Sequence, residues 1–336
     1  MRKKEAQFGL PWTREMNPLR DILASVVKVK LDTIVGCESV LQFVCRWESL
    51  VMVQILVDAG ADVNLASQGM YGTPLQAACT RTVDSESPGE TLKIIQYLIQ
   101  QGAQVNARGG YLHSCLHTAC WKGTPEVIKL VLTQEAEVDS KDSVGRTPAH
   151  LVCYQGLEHY RILNPSASQL VARDLTQRTA LHYAVMSEDL KLLKQVLDSH
   201  KCHPEHRDTY RQLVDGDLWT PLHWAARNTR SVQGEKKNMV SVIKYLLEEG
   251  YDLTAKGKAM NQEWTALEVA IYHGADEEIQ ALLTPVKPRE PLILTQWRPG
   301  KRHGGVSFCN VCFVVSILVP SATIYAVEDS NIQSSH

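Results

Sequence analysis

A marked excess of positive or negative charge is missing from this 336-residue sequence: 35 Lys and Arg stand against 37 Asp and Glu, a formal net charge of −2. A global basic field that would draw nucleic acid or an anionic membrane is therefore excluded. An apolar leader is missing too, since residues 1–18 are charged and polar, so no cleavable secretory signal is expected. The nine cysteines are an odd number, which argues against a closed disulfide framework and for a reducing, intracellular setting. Neither G-x-x-x-x-G-K-[ST] nor G-x-G-x-x-G occurs, so a nucleotide site would lack its phosphate cradle. Ordinary proportions of hydrophobic (44%) and charged (21%) residues nevertheless place the chain among folded soluble proteins.

What the sequence has in place of these is a recurring string. Its clearest copy is WTPLHWAARN at residues 219–228. Thr220 can cap a helix and Pro221 suits the first helical position, where a missing N–H is no loss. Leu222, Ala225 and Ala226 then share one face, and the two alanines allow a second helix to approach closely. Variants are YGTPLQAAC from Tyr71, HSCLHTAC from His113, RTPAHLVC from Arg146, RTALHYAV from Arg178 and WTALEVAI from Trp264. A degenerate copy surrounds Leu41. Aligned on the leucine slot, the copies fall at Leu41, Leu75, Leu116, Ala149, Leu181, Leu222 and Leu267, at spacings of 34, 41, 33, 32, 41 and 45 residues. Cys45, Cys79, Cys120 and Cys153 occupy the second-alanine slot, where a small buried side chain is wanted.

A T-P-L-H-x-A signature near 33 residues resembles the ankyrin-repeat family. The resemblance implies an all-α solenoid of about seven helix–turn–helix repeats with short β-hairpin fingers, over residues 35–284. Six second helices are expected from apolar residues at helical spacing, such as Ile94-Ile95-Leu98-Ile99 and Val242-Ile243-Leu246-Leu247. Gly60, Gly102 and Gly250 suit the left-handed turn that ends such helices. Glu135 and His200 stand in that place in copies three and five, where the turns should be strained or altered. In copy four Asn164-Pro165 should cut the second helix short. Polar insertions at residues 84–89 and 231–238 explain two of the long spacings.

Outside the repeats, residues 1–34 are basic, loosely helical over residues 19–31, and suit a weakly structured, fraying segment or a capping one. Residues 285–303 carry four prolines and read as an extended linker. The tail, residues 304–336, reads as a disordered or poorly packed remnant or in one of two more specific ways. His303 with Cys309 and Cys312 resembles the opening of a ZZ-type zinc finger, as in fungal multi-ankyrin proteins, although Asn310 replaces the usual aspartate and no further Cys-x-x-C follows. Cys309 and Cys312 alone make an incomplete site, so zinc is expected only if the chain is truncated, and no other cofactor is implied. Alternatively, residues 304–327 contain no charge and follow Arg298, Lys301 and Arg302, as a tail anchor with its basic side in the cytosol would. A denser cluster, His200, Cys202, His203 and His206, has metal-ligand types at a non-standard spacing.

His117, His150, His182 and His223 fill the histidine slot of the motif. In ankyrin repeats that residue joins neighbouring repeats, so no catalytic role is expected. The resemblance places function on a concave face, made of the positions the motif leaves free. They are Tyr71, Arg81, Tyr111, His113, Trp121, Lys122, Arg146, Tyr154, Gln155, Arg178, Met186, Trp219, Arg227, Asn228, Trp264, Tyr272 and His273. Aromatic and arginine residues recur there, the mix found in protein-binding hot spots. The sequence thus reads as a monomeric interaction scaffold with a protein partner and no nucleic acid. Its setting is cytoplasmic or nuclear, or membrane-anchored if the tail inserts.

Overall fold

The computed structural model describes residues 34–35, 38–81, 89–202, 209–228, 237–259 and 261–285. Among them the motif copies form seven short first helices: α1 (Val40–Trp47), α3 (Pro74–Cys79), α5 (Cys115–Lys122), α7 (Pro148–Gln155), α10 (Ala180–Met186), α12 (Pro221–Arg227) and α14 (Ala266–Tyr272). Each is followed by a second helix: α2 (Leu50–Asp58), α4 (Glu90–Gln100), α6 (Pro125–Leu132), α8 (Leu157–Leu163), α11 (Leu190–Cys202), α13 (Lys237–Glu248) and α15 (Glu277–Leu283). First helices touch the first helices before and after them in chain order, and second helices do the same, so the repeats stack in two rows. No single pair could bury its apolar face alone; stacking makes the core continuous.

Local sequence explains the starts. Thr73, Thr147 and Thr220 are extended N-caps followed by proline at the first helical position. Ser39 and Gln42 form a reciprocal capping box, which is why the degenerate first copy still opens a helix without Thr-Pro. The alanine pairs Ala77-Ala78 and Ala225-Ala226 are fully buried, as are Cys45, Cys79, Cys120 and Cys153. Burial pushes the thiols of Cys45, Cys120 and Cys153 well up from their ordinary range, which leaves them inert as nucleophiles.

Turns after the second helices follow the glycines. Gly60, Gly102 and Gly250 have φ of 98°, 89° and 84°. Two asparagines then fix the next turn: Asn64 donates to the Gly102 carbonyl at 3.0 Å and accepts from Gln104 N–H at 2.8 Å. Asn106 does the same with Glu135 O at 3.2 Å and Glu137 N–H at 2.9 Å.

The irregular copies behave differently from one another. Glu135 takes the left-handed conformation without being glycine, φ 57°. His200 does not form a turn at all, because α11 runs on to Cys202 and buries it. In copy four Asn164 closes α8 in the left-handed region, φ 46°, and Ser166 caps an extra short helix, α9 (Ala167–Val171), that packs on α10 and α11. The Asn-Pro break thus replaces one long second helix by two short ones. A small hairpin, β1 (Ile34–Val35) with β2 (Glu38–Ser39), leads into α1, and β3 (Lys256–Ala259) pairs with β4 (Gln262–Thr265) before α14. Residues 1–33, the cores of both polar insertions, the proline-rich linker beyond Pro285 and the whole tail lie outside the described residues. No helix among the described residues is long and apolar enough to cross a membrane.

Glu135 pays a left-handed penalty that glycine would not, so Glu135→Gly should stabilise the protein by roughly 0.5–1 kcal/mol despite glycine's greater unfolded-state freedom. Urea unfolding of the two proteins measures this, and a lowered midpoint for the variant would refute it.

Candidate functional site

The residue in the histidine slot of each motif copy sits at the third position of its helix, and its side chain works in two directions. Backward, it accepts from the cap: Thr147, Thr179 and Thr220 donate backbone N–H to Nδ1 of His150, His182 and His223 at 3.1, 3.1 and 3.2 Å. Forward, Nε2 of those rings reaches Arg178 O, Trp219 O and Trp264 O in the next finger, at 3.2, 3.3 and 3.0 Å. His117 lies 2.8 Å from Ser114 Oγ through Nδ1 and 3.0 Å from Arg146 O through Nε2. A backbone N–H can only donate and a carbonyl can only accept, so the rings of His150, His182 and His223 are neutral with the proton on Nε2. Gln42 and Gln76 make the same bridge with a carboxamide, Nε2 reaching Gly72 O at 2.8 Å and His113 O at 3.1 Å. Glu268, in copy seven, accepts from Thr265 N–H at 2.7 Å and has no hydrogen to pass forward.

A second set of buried groups shapes the fingers. Asp142, Asp174 and Asp215 each begin a tight turn that closes on the residue four places on. Asp174 Oδ1 accepts from Thr176 and Arg178 N–H at 2.8 and 2.9 Å, while Oδ2 takes Arg178 Nε at 2.9 Å and Tyr183 OH at 2.8 Å. Asp142 holds Arg146 Nε at 2.7 Å in the same way. In the third finger tryptophan replaces the arginine, and Asp215 instead takes Trp219 N–H at 2.8 Å and Trp224 Nε1 at 2.9 Å. The exchange reverses the electrostatics. Burial pushes the Asp174 carboxyl up, but the Arg178 charge and the hydrogen bonds outweigh it and hold the group below its ordinary range. Asp215 has the burial without the guanidinium and is shifted upward.

These pairings decide what remains for a partner. Tyr71, Arg146, Arg178, Met186 and Trp219, expected on the binding face, are instead buried. Arg146 and Arg178 are ion-paired within their own fingers, and Trp219 donates Nε1–H to Lys258 O at 3.0 Å. Arg81, Tyr111, His113, Trp121, Tyr154, Arg227, Asn228, Trp264 and His273 are half-buried, and Lys122, Gln155 and Tyr272 are exposed. Within this set Trp121 and Tyr154 stack face to face, centroids 5.4 Å apart at 20°. The Arg146 guanidinium lies 5.4 Å from the Trp121 ring and 5.7 Å from Tyr111, so a buried arginine backs the stack. Gln155 also donates to the Trp121 carbonyl. A separate cluster joins Trp264 to Tyr272 at 5.4 Å and Tyr272 to His273 at 5.2 Å, both edge to face.

The aspartates are absent from the sequence-based set, although a signal exists: each stands four residues before the Arg or Trp that opens a motif copy. Among the described residues no group of three or more His, Cys, Asp or Glu could hold a metal. His200 and Cys202 lie in α11, whereas His203, His206, Cys309 and Cys312 lie outside the described residues.

Residues 116–208 and 169–256 match the family model for ankyrin repeats in sets of three copies. Over 264 residues the chain is 26% identical to ankyrin repeat domain-containing protein SAT10 of Stachybotrys chartarum, covering 75% of this chain and 13% of that protein. It is 26% identical over 267 residues to human transient receptor potential cation channel subfamily A member 1, covering 75% and 21%. With human ankyrin repeat and SOCS box protein 16 the identity is 27% over 209 residues, covering 51% and 45%. The chain therefore spans less than half the length of these relatives. With the two rows of helices, these matches make the fold an all-α ankyrin-repeat solenoid, an architecture that generally binds proteins. They concern the repeats and do not show a zinc finger.

Burial lowers all four bridging histidines, His150 to about 4 and His182 to about 3. The unfolded chain binds these protons near pH 6.5 and the folded one does not. Their contribution is complete above that pH and is lost as pH falls through 6.5 toward 4, by up to about 1.4 kcal/mol per pH unit for each histidine. Unfolding free energies across this range should show the loss, and His150→Gln with His182→Gln should flatten it, because Gln42 and Gln76 already make the bridge. An unchanged slope in that variant would refute the assignment.

Proposed function

We propose that this ankyrin-repeat stack is a non-catalytic interaction scaffold that binds a partner protein on the concave face formed by the first-helix ends and the fingers. The Trp121–Tyr154 stack carries the proposal. Two large rings are held rigid by each other and by Arg146, yet both stay partly open to solvent beside exposed Lys122 and Gln155. A preformed aromatic platform with polar neighbours offers contact area at little entropic cost. Arg227 and Asn228, then Trp264, Tyr272 and His273, extend the same class of position along later repeats.

Chemistry is assigned to none of these groups. The four bridging histidines have both ring nitrogens engaged in structural contacts. A general base needs a free lone pair facing a substrate, and in these rings the Nδ1 lone pair faces the helix cap. The odd cysteine count and the placement of Cys45, Cys79, Cys120 and Cys153 in buried small-residue slots suit a reducing compartment, and the cytoplasm or nucleus is the proposed place of action.

Affinity capture from lysate with the full chain, quantified against Trp121→Ala/Tyr154→Ala, tests the site. Specific partners should fall by about tenfold or more, as loss of a hot spot implies, with thermal unfolding little changed. Equal recovery of every partner by the folded variant would sink the proposal.

A further inference from the structure

The turns that begin at Asp142, Asp174 and Asp215 form fingertips that are joined to one another. The second residue of each turn donates its N–H to the finger before it: Ser143 to Tyr111 O at 3.4 Å, Leu175 to Val144 O at 3.0 Å and Gly216 to Thr176 O at 2.8 Å. Lys258 continues the series by donating to Asp217 O at 2.6 Å. Away from the first helix pair, the described residues expose three large hydrophobic side chains, and two of them, Leu175 and Leu218, stand on successive tips of this linked edge. Leu175, at 72%, is the most exposed large hydrophobic side chain among the described residues.

Leu218 is also held in a conformation that suits it poorly. The fourth residue of each turn is left-handed: Gly145 at φ 79°, Gln177 at 63° and Leu218 at 61°. Glycine adopts this region without cost, whereas a bulky apolar side chain rarely enters it. With 44% of its surface exposed, Leu218 recovers only part of that cost by packing. Strain kept where the fold gains little from it is a mark of a functional contact.

The same fingers carry basic side chains whose charge is not spent on carboxylates. Lys141 Nζ donates to Arg173 O at 3.1 Å and Arg173 Nη1 to Val214 O at 2.7 Å, so both cations are bonded to neutral carbonyls. Lys258, on the next finger, is exposed. The carboxylates that begin the turns face inward, Asp142 and Asp174 onto Arg146 and Arg178, Asp215 onto Trp224, and Asp217 is half-buried. We propose that this edge binds an extended segment of a partner protein in which bulky apolar residues stand among acidic ones, with Leu175 and Leu218 as the apolar contacts and Lys141, Arg173 and Lys258 as the charged ones. A nucleic acid would supply the negative charge but no apolar side chain to cover the leucines. The proposal rests on the reading of the stack as an interaction scaffold but uses none of the Trp121–Tyr154 platform, so the two sites are tested separately.

Phage selection of random peptides on the full chain, followed by fluorescence anisotropy with the enriched peptide, tests it. Enriched peptides should combine Leu, Phe or Trp with Asp or Glu. Leu175→Ser and Lys141→Glu/Lys258→Glu should each weaken binding by about tenfold, the size expected for loss of a contact residue. Leu218→Gly should weaken it similarly while raising the urea midpoint, because the strain leaves with the contact. Trp121→Ala/Tyr154→Ala should leave the affinity unchanged. Failure to enrich, or enrichment of basic or uncharged peptides, overturns the proposal, as does undiminished binding by the fingertip variants. Peptides lost only in the Trp121→Ala/Tyr154→Ala variant also overturn it, and put the binding on the platform alone.

Discussion

One hydrogen-bonding position holds this protein in register: the third residue of each first helix, whose side chain must accept from its own cap and donate to the next finger. Gln42, His150, His182 and His223 meet both requirements, Gln76 accepts instead from Gly72 one residue before its cap, and His117 pairs with the hydroxyl of its cap Ser114. Only a side chain with an acceptor and an N–H a few ångströms apart can do so, which restricts the slot to a carboxamide or a neutral imidazole. Each bridge adds about 1 kcal/mol net, but leaving its buried carbonyl unmet would cost more. Glu268 in copy seven shows the same logic by exception, since a carboxylate keeps the backward contact and gives up the forward one.

The fingers that receive these bridges are rigid for a related reason. Asp142, Asp174 and Asp215 gather the backbone N–H groups of each turn on one carboxylate oxygen, so the carbonyl of the closing residue is presented to the preceding ring. Arg146 and Arg178 neutralise their aspartates and lie against aromatic rings. The surface aromatic pair Trp121 and Tyr154 is thus supported from below by the element that aligns the repeats. Fold and candidate binding surface share side chains, and a change at Arg146 would disturb both.

Much of this was legible in the sequence. The motif period placed all seven first helices, including the copy around Leu41, because capping and small-residue packing are local and repeat faithfully. Glu135 and Asn164 were readable as turn defects for the same reason. The surface was less legible. Arg146, Arg178 and Trp219 occupy positions the motif leaves variable, and variable positions look free in a linear reading. Their burial depends on an aspartate four residues earlier and on aromatic rings from other helices, contacts that exist only after stacking. His200 illustrates another limit: losing a turn glycine can strain a turn or simply lengthen the helix, and the sequence does not choose between them.

The most direct test of the central claim is the protonation state of the bridging rings in the intact protein. Imidazole ¹⁵N chemical shifts at neutral pH should show His117, His150, His182 and His223 as the neutral Nε2–H tautomer, with Nε2 protons that exchange slowly with water. Nδ1–H tautomers, or rings averaging rapidly between the two forms, would contradict the account.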